Sequence, residues 1–161
     1  MDHPRADHRR LMPRLTVNGM AVEVPEGLTL LEALRGPLGL NGPRFGCGAE
    51  ACGCCHVLLD GASVPSCTLP VEVAAGRAVV TIEGLGTRET PHPIQSALLA
   101  EQAGQCGWCL PGMAISGAAL LARDPNPDAE AIRVALDPHL CRCGSHPRIL
   151  RAIRRAAEAM R

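Results

Sequence analysis

The chain has 161 residues, with sixteen basic and sixteen acidic side chains and a formal net charge of zero. That balance gives nothing to attract nucleic acid or an anionic membrane surface, and the length suits one ordinary domain or two small ones. Phe45 and Trp108 are the only aromatics beside nine cysteines, so the core lacks the area that aromatic side chains usually bury. The opening MDHPRADHRRLMPRL has no apolar signal core, and no run of about eighteen apolar residues offers a membrane span. In a reducing compartment clustered cysteines bind metal more often than they pair. The composition therefore predicts a cytoplasmic metalloprotein.

Residues 1–13 mix charge and proline without periodicity and read as a loose tail. LTVNG and MAVEV alternate as two short strands about Asn18-Gly19, a strong hairpin signal. TLLEALR (29–35) predicts a short helix capped by Thr29, with Leu30, Leu31 and Leu34 inward. A cysteine-rich loop follows. HVLLDGASVPSC then predicts two strands about Asp60-Gly61, and AVVTIEG (78–84) one more. Residues 14–87 thus read as one β-rich domain, a mixed sheet with a helix across it.

After the linker-like GLGTRETPHP the register becomes helical, and residues 88–161 read as a second domain. Ile94, Ala97 and Leu98 share a face. Pro111 stands at the first turn of the next helix, whose inward residues are Met113, Gly117, Leu120 and Leu121. In DPNPD, Asn126 is the expected cap and Pro127 the first turn, followed by Ile132 and Leu136. A last helix from Pro147 places Ile149, Ile153, Ala156 and Met160 together. The fold class expected is α+β.

Each half carries its own cysteines. Cys47, Cys52, Cys55 and Cys67 have the spacing C-x4-C-x2-C with a fourth cysteine after eleven more residues, the plant-type pattern for a [2Fe–2S] cluster. Such a cluster is dianionic and needs amide donors close to its sulfurs. Gly46, Gly48 and Gly53 suit a tight wrap. In the second half, Cys106 and Cys109 (CGWC) and Cys141 and Cys143 (CRC) each stand just before a helix. By spacing alone, zinc and a second [2Fe–2S] cluster fit this set equally.

The two sets in this order resemble the iron–sulfur subunit of the molybdenum hydroxylases, the xanthine dehydrogenase/aldehyde oxidase family. GCGAEACGCCHVLLDG, QCGWCLPGM and LCRCGSHPRILRAI carry the resemblance, which spans about residues 14–158. LNGPRFGC and the CRCGSH ending look most like the small subunits of nicotinate and isoquinoline dehydrogenases. The resemblance implies a ferredoxin-like β-grasp domain followed by a four-helix bundle, with two [2Fe–2S] clusters. It also implies a large partner subunit holding a molybdopterin cofactor, which Gln105 and Cys143 would approach, and a flavin subunit or a cytochrome as the onward acceptor. No residue of this chain would make or break substrate bonds.

Cys54 is then the odd cysteine, where relatives commonly carry alanine, and the simplest expectation is a small buried side chain. The alternatives are an S–H donor to the cluster or a spare ligand. His56, where threonine is usual, reads as a strand-surface residue. His139 and His146 flank the CRC motif without the C-x-H pattern of a Rieske centre and read as structural or cofactor-facing. Trp108 is expected to shield the second site from water. Arg142, between two cysteines, would favour the reduced cluster. Arg148, Arg151, Arg154 and Arg155 form a basic helix face. The same subunit serving an aldehyde or carbon monoxide dehydrogenase is the nearest alternative, and a free-standing two-cluster ferredoxin and a zinc-stabilised binding module are the competing classes; soluble electron carriers tend to be acidic, and this chain is neutral.

Overall fold

A computed structural model describes residues 12–161; the expected tail lies almost wholly outside them. Strands β1 (Arg14–Val17) and β2 (Met20–Glu23) form the first hairpin. Asn18 and Gly19 both take positive φ, at 50° and 81°, as a two-residue primed turn demands. Helix α1 (Leu30–Arg35) begins with a reciprocal capping box. Thr29 Oγ1 accepts the Glu32 amide at 3.2 Å, and the Glu32 carboxylate accepts the Thr29 amide at 2.8 Å. Strands β3 (Val57–Leu59) and β4 (Ala62–Val64) form the second hairpin about Asp60 and Gly61. After one 3-10 turn (Val71–Ala74), β5 (Ala78–Val80) runs parallel to β1 and antiparallel to β3. The sheet is mixed, in the order β2-β1-β5-β3-β4.

The strand expected over 78–84 ends at Val80, and residues 82–85 form a short helix, α2 (Ile82–Leu85). The cause lies across the sheet. Asn18 takes the Thr81 amide on its Oδ1 at 2.9 Å and gives its Nδ2 to Thr81 Oγ1 at 3.0 Å. The Thr81 hydroxyl in turn donates to Glu83. Thr81 is thus held outside the ladder.

The remaining helices are α3 (Pro93–Ala100), α4 (Leu110–Arg123), α5 (Ala129–Leu136) and α6 (His146–Ala159). The cap of α5 is Asp128, whose carboxylate accepts the Ala131 amide at 2.7 Å, and not Asn126. Met160 lies past the end of α6 and is exposed. The other residues expected inward are buried.

Two apolar cores result. One joins Leu15, Val17, Leu30, Leu34, Val57 and Val79 between sheet and α1. The other joins α3 to α6 about Ile94, Met113, Ile149 and Ile153, with Ile82 and Leu85 against it. Helix α4 is buried from Gly112 to Leu121 and also packs against β3 and β4. A helix enclosed on all sides cannot be amphipathic, which explains the run of Gly, Ala, Ile and Leu along it. The whole is an α+β fold, and no helix among the described residues is long and apolar enough to cross a membrane.

Candidate metal centres

The segment leading into the first cysteine loop is pinned before the cysteines begin. Arg35 donates to the carbonyls of Asn41 and Pro43, at 3.1 and 2.8 Å, and the Arg44 amide bonds the Cys54 carbonyl at 3.0 Å. Within the loop, the amides of Ala49 and Ala51 point at Cys47 Sγ, 3.3 and 3.2 Å away. The Ala49 amide leads in pulling that thiol down to about 7, since donors to sulfur favour the thiolate. Cys67 returns from beyond the second hairpin, where burial pushes its thiol up. It lies beside Cys55 and Leu31, all three buried. Ser66 clasps this corner by donating to the Cys55 carbonyl at 2.6 Å.

Cys54 faces the other way. Its side chain joins the helical core with Cys109 and Met113, and burial pushes its thiol up to about 12. Neighbouring residues of a tight loop thus supply two different cores: Cys55 serves the sheet side and Cys54 the helical side. This is the small buried side chain expected at that position.

The second set gathers at two helix starts. Cys109 is the residue before α4, and its carbonyl accepts the Met113 amide. Cys143 stands two residues before Ser145, which precedes α6. Cys106 lies three residues before Cys109, and Cys141 two before Cys143. The four line one small pocket with Gln105 and Ser145. The Trp108 amide leads in lowering the Cys106 thiol, whereas burial pushes Cys109 up to about 12. Cys141 is lowered despite its burial, by the Ser145 amide and the Cys109 thiol. Unpaired amides at the starts of α4 and α6 add positive potential toward the sulfurs. Both sets therefore place cysteine sulfurs beside backbone amides that favour the thiolate, the surroundings a [2Fe–2S] cluster requires.

The two sites touch. The Leu140 amide, next to Cys141, bonds the Cys52 carbonyl at 3.1 Å. A Cβ on Gly112 would meet Gly53 O at 2.0 Å, and one on Gly53 would meet His139 Nδ1 at 2.1 Å, so two glycines let the first loop lie directly on the start of α4 and on the His139 ring.

Trp108 does not act as the expected shield. It is 48% exposed, donates its indole N–H to the Phe45 carbonyl at 3.1 Å, and carries the Arg44 guanidinium 5.0 Å above its ring. It is a strap between the sites. Gln105, Cys106, Leu140 and Arg142 are exposed at the second site. The basic face of α6 is partly spent within the chain, because Arg151 and Arg155 both pair with Glu101, at 3.1 and 3.3 Å, and Arg148 donates to Gln102 O.

His56 is the clearest departure from expectation. It is buried, because α4 lies over the start of β3. Its Nδ1 bonds Ser63 Oγ at 2.8 Å, Ser63 Oγ bonds Ser116 Oγ at 2.7 Å, and Ser116 Oγ bonds His139 Nε2 at 2.6 Å. The two rings lie 4.7 Å apart. Burial first, then the nearby His56 and His146, holds His139 down to about 3. Alternation along a strand, read without α4 on top of it, gave no sign of this cluster.

Comparison with known proteins matches each half of the chain to a 2Fe-2S-binding family. Residues 15–78 match the 2Fe-2S iron-sulfur cluster binding domain, and residues 81–154 match the [2Fe-2S] binding domain. A nicotinate dehydrogenase subunit of Pseudomonas putida is 52% identical over 91% of this chain and 95% of its own. The alpha subunit of isoquinoline 1-oxidoreductase from Brevundimonas diminuta is 45% identical over 91% of this chain and 98% of its own. Among solved structures, a chain of quinoline 2-oxidoreductase from Pseudomonas putida 86 superposes with a TM-score of 0.86 at 34% identity, covering 93% of this chain and 95% of that one. With two [2Fe–2S]-binding regions in this order and full-length relatives of this similarity, the chain belongs to the small iron–sulfur subunits of the molybdenum hydroxylases, the xanthine dehydrogenase/aldehyde oxidase family, and serves in electron transfer.

Proposed function

We propose that this chain carries electrons from the molybdopterin site of a large subunit to a flavin subunit or a cytochrome, in a cytoplasmic complex that oxidises an N-heteroaromatic compound. Cys47, Cys52, Cys55 and Cys67 hold one [2Fe–2S] cluster in a β-grasp domain (14–87). Cys106, Cys109, Cys141 and Cys143 hold the other in a four-helix domain (88–161). When bound, each cluster accepts and releases one electron at a time.

The chain's own residues set where that happens and at what potential. Gln105 and Cys143 present the second site outward, toward the molybdopterin. Arg142 adds a positive charge between two ligands, and the Ala49 and Ala51 amides do the same service at Cys47. The observation that carries the reading is the backbone bond from Leu140 to Cys52, which makes the two cysteine sets adjacent. A carrier that met its partners one at a time would have no use for a second site locked to the first. The substrate class follows the nicotinate, isoquinoline and quinoline names of the relatives.

The test uses the native complex. With this chain tagged and purified together with its partners, dye reduction by nicotinate-like heterocycles should exceed that by aromatic aldehydes. Aldehyde turnover alone would keep the electron-transfer role and overturn the substrate. Purification without a large molybdenum-containing partner would overturn the complex itself.

A further inference from the structure

The buried chain His56–Ser63–Ser116–His139 is not needed to bind either cluster, yet each end is tied to one. His56 directly follows Cys55, and His139 is two residues before Cys141. Between them the chain passes from β4 to the middle of α4, through links of 2.8, 2.7 and 2.6 Å. His56, Ser116 and His139 are 7%, 5% and 2% exposed, whereas Ser63 is half-buried where the chain borders a surface pocket.

Proton counting shows that the chain can be complete. Its three links need three protons, and the two hydroxyls supply two. One imidazole must therefore donate and the other accept, and two neutral rings satisfy every link. Hydrogen bonds of this kind impose direction as well as contact, which apolar packing does not, while the outer ring nitrogen of His139, Nδ1, is buried without a partner. The other hydrogen bonds named across the junction, Leu140 to Cys52 and Trp108 to Phe45, come from exposed residues. Gly53 against Gly112 and Cys54 against Cys109 are contacts of shape, and these tolerate small slides.

We infer that His56, Ser63, Ser116 and His139 are positioning residues that fix the separation and orientation of the two cluster sites. The inference rests on the ligand sets proposed above. Its readout is the magnetic interaction between the two reduced clusters, which depends on their spacing and mutual orientation and not on turnover.

In the dithionite-reduced native complex, Ser116→Ala should keep about four irons per chain while the splitting between the two EPR signals shifts or smears. Ile94→Val, a core trimming on α3, which carries none of the chain, should leave the splitting unchanged. Wild-type splitting in Ser116→Ala with full iron would overturn the inference, as would an equal shift in Ile94→Val. If Ser116→Ala fails to fold or loses iron, Ser63→Ala at the half-buried link decides by the same criterion. Failure of the ligand reading is distinguishable: the wild-type complex would then lack the pair of [2Fe–2S] signals.

Discussion

The two cysteine sets solve one chemical problem by different means. The first lies mostly within one loop. Three of its cysteines fall between residues 47 and 55, and the amides that serve Cys47 come from Ala49 and Ala51 of that loop. Only Cys67 must be brought back, by a hairpin and by Ser66. The second set has no such local frame. Thirty-one residues separate its two pairs, and only the packing of α3 to α6 brings the starts of α4 and α6 together. A locally framed site should survive damage to distant packing, whereas a site framed by packing should fail with it.

The largest effects come from the ligands. Cys55→Ser should remove the first cluster and about half the iron, with one of two EPR signals lost, whereas Cys54→Ser should keep both. Equal loss in the two variants would break the assignment of neighbouring thiols to opposite cores. Gly112→Ala comes next. Its Cβ would stand 2.0 Å from Gly53 O, a clash with backbone that cannot rotate away, and a loss of about 3 kcal/mol in denaturant unfolding is expected.

Ile153→Ala sharpens the contrast further. This residue is wholly buried in the helical core, and its truncation should cost about 3 kcal/mol and release the second cluster before the first. Simultaneous release would show that both sites depend on one core. Thr29→Ala should cost about 1 kcal/mol and act on the first site, because Leu31 of α1 packs with Cys55 and Cys67.

The smallest effect is at Glu101. Bonding to Arg151 holds its carboxyl below the usual range, with help from Arg155. A depressed acid stabilises the fold fully above its ordinary value, and the benefit fades as pH falls through the lowered one. Glu101→Gln should therefore flatten the acid limb of a thermal stability profile slightly, and high salt should mimic it.

Much of this was legible in the residues. Asn18-Gly19 and Asp60-Gly61 mark hairpins because positive φ is written into those dipeptides, and the apolar spacing of Ile149, Ile153 and Ala156 marks a buried stripe. What was hidden depends on elements distant in the chain. The strand after Ala78 stops early because of a side chain at position 18. His56 is buried because α4 covers the sheet, and Trp108 turns from shield to strap because Phe45 offers it a carbonyl. Asp128 outcompetes Asn126 as a cap only once the helix start is known.

The interleaving of Gly53 and Cys54 with the helical half bears on how the protein is assembled. Cys54 completes a core whose other members are all synthesised later, so the first loop must be shaped before the helices can close on it. Cys55 and Cys67, 2% and 9% exposed in the finished fold, are packed with Leu31 of α1 and not with the helical core, so the first site can be framed before that closure. Loading is then expected to run in chain order, first site before second. Pulse-labelled iron should accordingly appear in the plant-type signal ahead of the other.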